Sequence, residues 1–305
     1  MPVCKEICMK KIIAPVSVFF IALSLCFSTK EEKLPRPDHI IIVIEENHGF
    51  DQVIGSPDAP FINMLAKDGA LFTDAHGIAH PSQPNYIAIF SGSTQGISDD
   101  KCLKDTLFNS PNLGSSLIKS GHSFGGYAQT MPSAGFTGCY YQKSNITKSY
   151  LYGRKHCPWV NWLGNGENQF SPSLSVPMTD FPSDFSKLPT VSFVIPDMDN
   201  DMHNILPKGD AATIRQGDKW LRKNLARYVK WARTHNSLLI LTFDEDDFKV
   251  QNHIPTIFAG QMVRPGKYSN RIDHYNVLRT IEAMYQLPKT GTAEENPITG
   301  IWKTK

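Results

Sequence analysis

The sequence contains no Cys-x-x-Cys pair, no internal repeat, no low-complexity tract and no basic stripe with interleaved aromatics. The first absence argues against a zinc site built from cysteines. The last leaves nucleic-acid binding without support in a chain whose net charge is only +2. Cysteines are few: of six in 305 residues, only Cys102, Cys139 and Cys157 lie beyond the N-terminal segment. The apolar run from Ile12 to Phe27 is short for a membrane span.

That run follows Lys5, Lys10 and Lys11 and gives way to the polar stretch Ser28–Lys33. The pattern predicts a secretory signal over residues 1–28, with a signal anchor as the alternative. Cys26 follows Leu23-Ser24-Leu25, a loose match to a lipoprotein cleavage box in which Leu25 fits poorly, so a lipid anchor at Cys26 stays open. Either way the expected destination is outside the cytoplasm, secreted or periplasmic. Export leaves about 270 residues, 29–305, by length one sizeable domain. In an oxidising compartment, three cysteines suggest one disulfide and one free thiol, or a variant bridge. Cys102 and Cys139 flank a segment that can close a loop over the site and are the favoured pair. Three buried free thiols are the alternative.

His39-Ile-Ile-Ile-Val-Ile44 has the length and β-branched character of a buried parallel strand. It ends in Glu45-Glu46-Asn47-His48, and charges there must stay wet, pair or hold a metal. Thr190–Ile195 is a second such strand and runs into Pro196-Asp-Met-Asp-Asn-Asp-Met-His203. Ser237–Phe243 is a third, ending in Asp244-Glu-Asp-Asp247, and His253–Phe258 is a fourth. Helices are expected at 59–67, 113–119, 214–234 and 273–285, a short strand at 70–73 and an extended stretch near Phe124. Residues 130–188, rich in Pro, Gly, Ser, Tyr and Trp, read as an irregular insertion lining or lidding the site. Strands alternating with helices predict an α/β fold, a three-layer α/β/α sandwich with a mostly parallel central sheet. Ligands bind off the carboxyl ends of such strands, where three of them deliver acidic or histidine clusters.

Residues 80–92 read as a nucleophile turn followed by a short helix. Pro81 and Pro84 restrict the backbone around Ser82, and a hydroxyl at a helix N-terminus meets free N–H groups suited to a phosphate. Glu46, Asn47, Asp244 and Glu245 offer oxygen to a hard divalent ion such as Mg, Ca or Mn, and also suit Zn. Asp199, Asp201, His203 and His253 offer mixed oxygen and nitrogen, better suited to Zn or Fe. One or two such ions beside Ser82 would activate its hydroxyl, and a histidine, with His203 the candidate, or a metal-bound water would protonate the leaving alkoxide. His76, His80 and His274 are weaker candidates, His48 reads as exposed, and His122, His156 and His235 read as structural or solvent-facing.

Five motifs in this order, Ile44-Glu-Glu-Asn-His-Gly-Phe50, His80-Pro-Ser-Gln-Pro-Asn-Tyr86 with Phe90-Ser-Gly-Ser93, Asn200-Asp-Met-His203, Thr242-Phe-Asp-Glu-Asp246 and Asn252-His-Ile-Pro-Thr256, resemble the phosphoesterase family of bacterial acid phosphatases and phospholipases C. That family is related to the alkaline phosphatase superfamily. The resemblance covers nearly the whole chain after residue 28 and is strongest to the shorter secreted acid phosphatases, the SapM-like branch. It implies an alkaline-phosphatase-like sandwich with Glu46, Asn47, Asp244 and Glu245 as metal ligands. Ser82 matches the nucleophile, itself in contact with the metal, where threonine often stands. Asn85 matches the side chain that holds a phosphate oxygen. Asp199 with His203 is similar to a second-metal pair, Asp201 competes for that role, and His253 resembles the remaining ligand. One departure is Cys157 in Arg154-Lys-His-Cys-Pro-Trp159, where a polar residue is expected.

The expected function is an exported, metal-dependent acid phosphatase that hydrolyses phosphate monoesters through a phosphoseryl intermediate. A phospholipase C-type phosphodiesterase is the nearest rival, and a catalytically silent protein that binds metal or a phosphorylated ligand is the rival of another class. The partner is a small phosphorylated substrate, with phosphoinositides, sugar phosphates and nucleotides all open. The chain is expected to be a monomer or small homo-oligomer.

Overall fold

The computed structural model describes residues 1–3, 33–248 and 251–303. Apart from its first three residues, the expected signal segment, with Cys26, lies outside the described residues. Along the chain, the isoleucine-rich run forms β1, His39–Glu45, buried in all but its first residue. A single turn, α1 (Phe50–Val53), precedes α2 (Pro60–Asp68), whose first position suits a proline because no N–H is needed there. Strands β2 (Ala70–Phe72) and β3 (Ala75–His76) lead into α3, Ser82–Ser91, a helix buried at every residue. Helix α4 (Leu113–Lys119) is capped by the Asn112 side chain, which accepts from the Ser115 N–H, and β4 follows at Phe124–Ala128.

Residues 130–188 hold more order than their composition suggests. They form an antiparallel hairpin of β5 (Tyr140–Lys143) and β6 (Tyr150–Gly153), several 3₁₀ turns and an edge strand β7 (Ser175–Pro177) parallel to β4. Trp159 and Trp162 are fully buried, against Phe193 and Phe90 respectively. Prolines and glycines set the turns, and single large side chains between them fill the core, so no period betrays the packing.

The remaining elements are β8 (Val191–Ile195), α5 (Asp210–Ala232), β9 (Ser237–Phe243), β10 (Thr256–Gly260), β11 (Gly266–Tyr268), β12 (Ile272–Asp273) and α6 (His274–Tyr285). Helix α5 begins one turn earlier than the apolar stripe predicts, with Asp210 in its first turn where the dipole favours an acid. Asp273 lies outside α6 as its cap, its carboxylate accepting from the Tyr275 and Asn276 N–H groups. Gly92 ends α3 in the left-handed region (φ 67°), and any Cβ there would meet the Thr290 carbonyl oxygen at 2.1 Å.

Eight strands form one sheet in the order β11-β2-β10-β9-β1-β8-β4-β7. β1 is central, parallel to β8 (Ile42 beside Phe193) and to β9 (Ile42 beside Ile240). β10 alone runs antiparallel to its neighbours β9 and β2, because the link from Phe243 to Thr256 carries no crossover helix. Helix α2 packs on α5, and α3 packs with α4 and α6, so two helical layers cover the sheet. Residues 33–305 form one compact unit, and among the described residues no helix is long and apolar enough to cross a membrane.

Candidate functional site

Because β8, β1 and β9 are parallel neighbours, the residues after them leave the sheet at one end. The Glu46 N–H donates to the Asp201 carbonyl at 2.8 Å and the Asp244 N–H to the Glu45 carbonyl at 2.9 Å, tying the three exits together. Ser82 opens α3 against this end. Its Oγ lies 3.0 Å from Glu46 Oε2 and 3.0 Å from Glu245 Oε1, with all three residues buried. Asn47, in the left-handed region at φ 50°, donates its N–H to Asp244 Oδ1 at 3.1 Å and its Nδ2 to Glu46 Oε2 at 2.8 Å. The structure therefore brings Ser82, Glu46, Asn47, Asp244 and Glu245 together.

Four other candidates sit elsewhere. Asn85 spends its amide on the loop before α3: Oδ1 accepts from the Ile78 and Ala79 N–H groups, and Nδ2 donates to the Ala79 and Pro81 carbonyls. Both amide protons of Asn85 are thus engaged by the loop that leads into Ser82. Asp199 is turned to the β5–β6 connection, accepting from the Ser144 hydroxyl, from Thr147 Oγ1 at 2.8 Å and from Asn204 Nδ2 at 2.8 Å. It makes no pair with His203. Asp201 stands behind the site, its Oδ2 3.0 Å from His156 Nδ1 and its Oδ1 accepting from the His203 N–H at 2.9 Å. His253 stacks on Phe50 at 4.5 Å between ring centroids, and its Nε2 lies 3.1 Å from the Thr73 carbonyl, outside the carboxylate cluster.

His203 does reach the site, in company that sequence reasoning missed. His156, expected to be structural or solvent-facing, is 1 % exposed, with Nε2 2.9 Å from Glu46 Oε1. Lys155 Nζ lies 2.6 Å from Asp100 Oδ2 and 3.0 Å from His203 Nε2. These residues follow a hairpin, not a buried strand, so no strand-end pattern marked them. The adjacent Lys-His pair was the one available signal. His48 is also buried, its Nδ1 2.9 Å from the Glu46 carbonyl. His80 Nδ1 contacts Glu245 Oε2 at 2.5 Å, and His274 Nε2 lies 2.8 Å from the Asp244 carbonyl.

The electrostatics divide the site in two. Burial, with the charges of Glu46 and Glu245, drives the Asp244 carboxyl well above its usual range, and Asp244 Oδ2 is buried without a hydrogen-bond partner. Burial and the Glu46 charge lift Glu245 to about 8. On the other side, burial opposes charge on His156, but the Glu46 and Asp201 carboxylates lift it to about 9. Burial also opposes charge on Glu46, yet His156 prevails and holds that carboxyl well below its usual range. Burial pulls His203 down to about 4, so it is neutral above that pH. Burial works against the Lys155 ammonium too, but Glu46 and Asp100 more than offset it. Glu46, His156 and His203 each offer a ligand atom within 4.8 Å of the others, a group that could hold a metal ion.

Cys102 and Cys139 form a disulfide with a Cα–Cα distance of 5.7 Å, and Cys157 is a buried free thiol pushed up by burial.

Residues 56–288 match the model of the Phosphoesterase family. The phosphatidylinositol-3-phosphatase of Mycobacterium tuberculosis is 46% identical over 272 residues, covering 88% of this chain and 84% of that protein. The phosphate-repressible acid phosphatase of Penicillium chrysogenum is 30% identical over 240 residues, covering 75% of this chain and 55% of its own length. Among solved structures, a protein of the alkaline phosphatase superfamily from Vibrio parahaemolyticus superposes with a TM-score of 0.58 at 15% identity, over 87% of this chain and 71% of that one. At that identity the likeness speaks for the fold.

Proposed function

The chain belongs to the phosphoesterase family and hydrolyses phosphate esters, and we propose that it is an exported, metal-dependent phosphomonoesterase with Ser82 as nucleophile. The observation that carries this reading is the Ser82 hydroxyl, held at the N-terminus of α3 and 3.0 Å from two buried carboxylates. Export rests on the basic and apolar pattern of residues 1–28.

A divalent cation fits the residues around Ser82. Glu46, Asp244 and Glu245 crowd three buried carboxylates together, and Asp244 Oδ2 has no partner, so a positive charge is the missing component. Glu46, Asn47, Asp244 and Glu245 would hold it with the Ser82 oxygen, an oxygen-rich set suited to a hard ion. The alternative group of Glu46, His156 and His203 suits a cation less well. Both His156 nitrogens already face carboxylate oxygens, at 2.9 and 3.0 Å, and Lys155 donates toward His203. On that side of the site, the Lys155 ammonium is the group better placed to receive substrate phosphate. The ion's contribution when bound is to neutralise negative charge and favour the ionised serine.

In the proposed reaction Ser82 Oγ attacks phosphorus, its proton passing to a contacting carboxylate, and the bond from phosphorus to the alcohol oxygen breaks. The departing alkoxide takes a proton from the Lys155–His203 pair, leaving phosphate on Ser82. Water then gives a proton back to the Lys155–His203 pair as its oxygen bonds to phosphorus. The bond from phosphorus to Ser82 Oγ breaks, and the serine oxygen recovers its proton from the carboxyl group. Lys155 is placed to meet the phosphate oxygens, whereas in the first turn of α3 the Gln83 N–H already donates to Asp100 Oδ1 at 2.9 Å and Pro84 has none to offer. The name of the mycobacterial relative supports a phosphorylated inositol lipid as substrate class. The test is hydrolysis of an aryl phosphomonoester beside the matching diester, with and without chelator. Chelator-sensitive cleavage of the monoester is expected. Preference for the diester would make the protein a phosphodiesterase, and cleavage of neither would make it a binding protein.

A further inference from the structure

The β5–β6 hairpin keeps apolar surface in water. Every residue of β5 is exposed, and Tyr140 stacks on Tyr150 with ring centroids 4.8 Å apart. Both tyrosines are about two-fifths exposed, at 42% and 40%. Lys143 Nζ lies 5.5 Å from the centre of the Tyr150 ring, and the turn carries Ile146, 59% exposed, beside the exposed Lys148. Ile205, 50% exposed, adjoins the same strand, since its neighbour Asn204 donates to the Tyr150 carbonyl at 2.9 Å.

An isolated hairpin is marginal in water, so this one is held from outside itself. The Cys102–Cys139 disulfide ties its base, and Asp199 accepts from Ser144 and Thr147 in its turn. The fold thus rigidly presents tyrosines, isoleucines and lysines that add nothing to its core. Tyrosine and lysine each pair an apolar body with a polar tip, the composition suited to a headgroup boundary, and the lysines complement anionic lipid. The surface is continuous with the site: β6 runs into Lys155 and His156, and Asn204 Oδ1 lies 3.4 Å from His203 Nδ1.

We propose that the outer face of the β5–β6 hairpin, with Ile205, docks on an anionic phospholipid bilayer and so presents the Ser82 site to phosphorylated lipid headgroups. Its catalytic consequence rests on the phosphatase reading, whereas the docking itself does not.

The test uses the protein in its exported form, sedimented with phosphatidylcholine vesicles with and without phosphatidylserine. Binding is expected to the phosphatidylserine vesicles. A Tyr140→Ser, Ile146→Ser, Tyr150→Ser variant should lower it roughly tenfold or more while leaving aryl phosphate hydrolysis unchanged. Lys143→Glu with Lys148→Glu should remove its salt-sensitive part. Wild-type binding by the triple variant, or no vesicle binding by the wild type, would overturn the proposal. So would a dimer that the triple variant converts to a monomer, since the face would then serve a second copy of the chain. If the wild type failed to cleave aryl phosphate, the phosphatase reading would fall, and the vesicle result would still decide the docking.

Discussion

Lys155→Met separates a catalytic cation from a structural one. The ammonium has two partners, Asp100 Oδ2 at 2.6 Å and His203 Nε2 at 3.0 Å. Neither is left stranded by its loss. The Asp100 side chain is 31% exposed and can take water instead, while burial already keeps His203 neutral. Methionine also retains most of the buried stem. Because the ammonium is buried and also faces the Glu46 charge, the folded state should lose about 1–3 kcal/mol, short of unfolding. A hydrogen bond to a charged group contributes about 1.5–3 kcal/mol. If that contribution is made to phosphate oxygens in the transition state, kcat/KM should fall roughly 10- to 150-fold. Steady-state kinetics on an aryl phosphate, beside thermal unfolding of the same sample, reads both quantities. Lys155→Arg should recover part of the rate, because it keeps the charge. A Lys155→Met enzyme within twofold of wild type would refute the assignment. So would a loss of rate matched by a collapse in stability.

Replacing His156 with phenylalanine keeps a ring against Tyr86, whose centroid is 5.1 Å away, but strands Glu46 Oε1 and Asp201 Oδ2 in the interior. Denaturant unfolding should show a loss of about 3–5 kcal/mol, and a loss below about 1 kcal/mol would show that the clasp is not structural. Cys157, buried and with its thiol pushed up, should resist alkylation in the native protein at mildly alkaline pH and react once unfolded; native-state labelling would contradict its burial. Asp244→Asn should release bound metal and slow turnover together, and unchanged metal content by elemental analysis would remove Asp244 from the ligand set.

Much of the fold was legible because buried parallel strands have a strong signature. The runs at 39–44, 190–195 and 237–243 are apolar on both faces and become β1, β8 and β9. Their exits carried half of the site, since Glu46, Asp244 and Glu245 follow buried strands directly, and a charge there needs a reason. The other half arrives from irregular chain. Lys155 and His156 lie just after a hairpin, where no period connects residue type to position. Asp199 and Asp201 show the opposite failure. Their spacing from His203 suits a metal pair, but the turn after β8 points Asp199 at the hairpin and Asp201 at His156. Spacing along a loop fixes which residues are near one another in the chain, not which way each one faces.

The central claim is that Ser82 carries the phosphate, and trapping that phosphate tests it most directly. The enzyme would be mixed with excess aryl phosphate, quenched in acid during turnover and mapped by mass spectrometry of its peptides. Phosphate on Ser82 in the wild type is the expected result, with Ser82→Ala folded, metal-bound and inactive. A Ser82→Ala enzyme that still turns over, with no phosphopeptide from the wild type, would contradict the account.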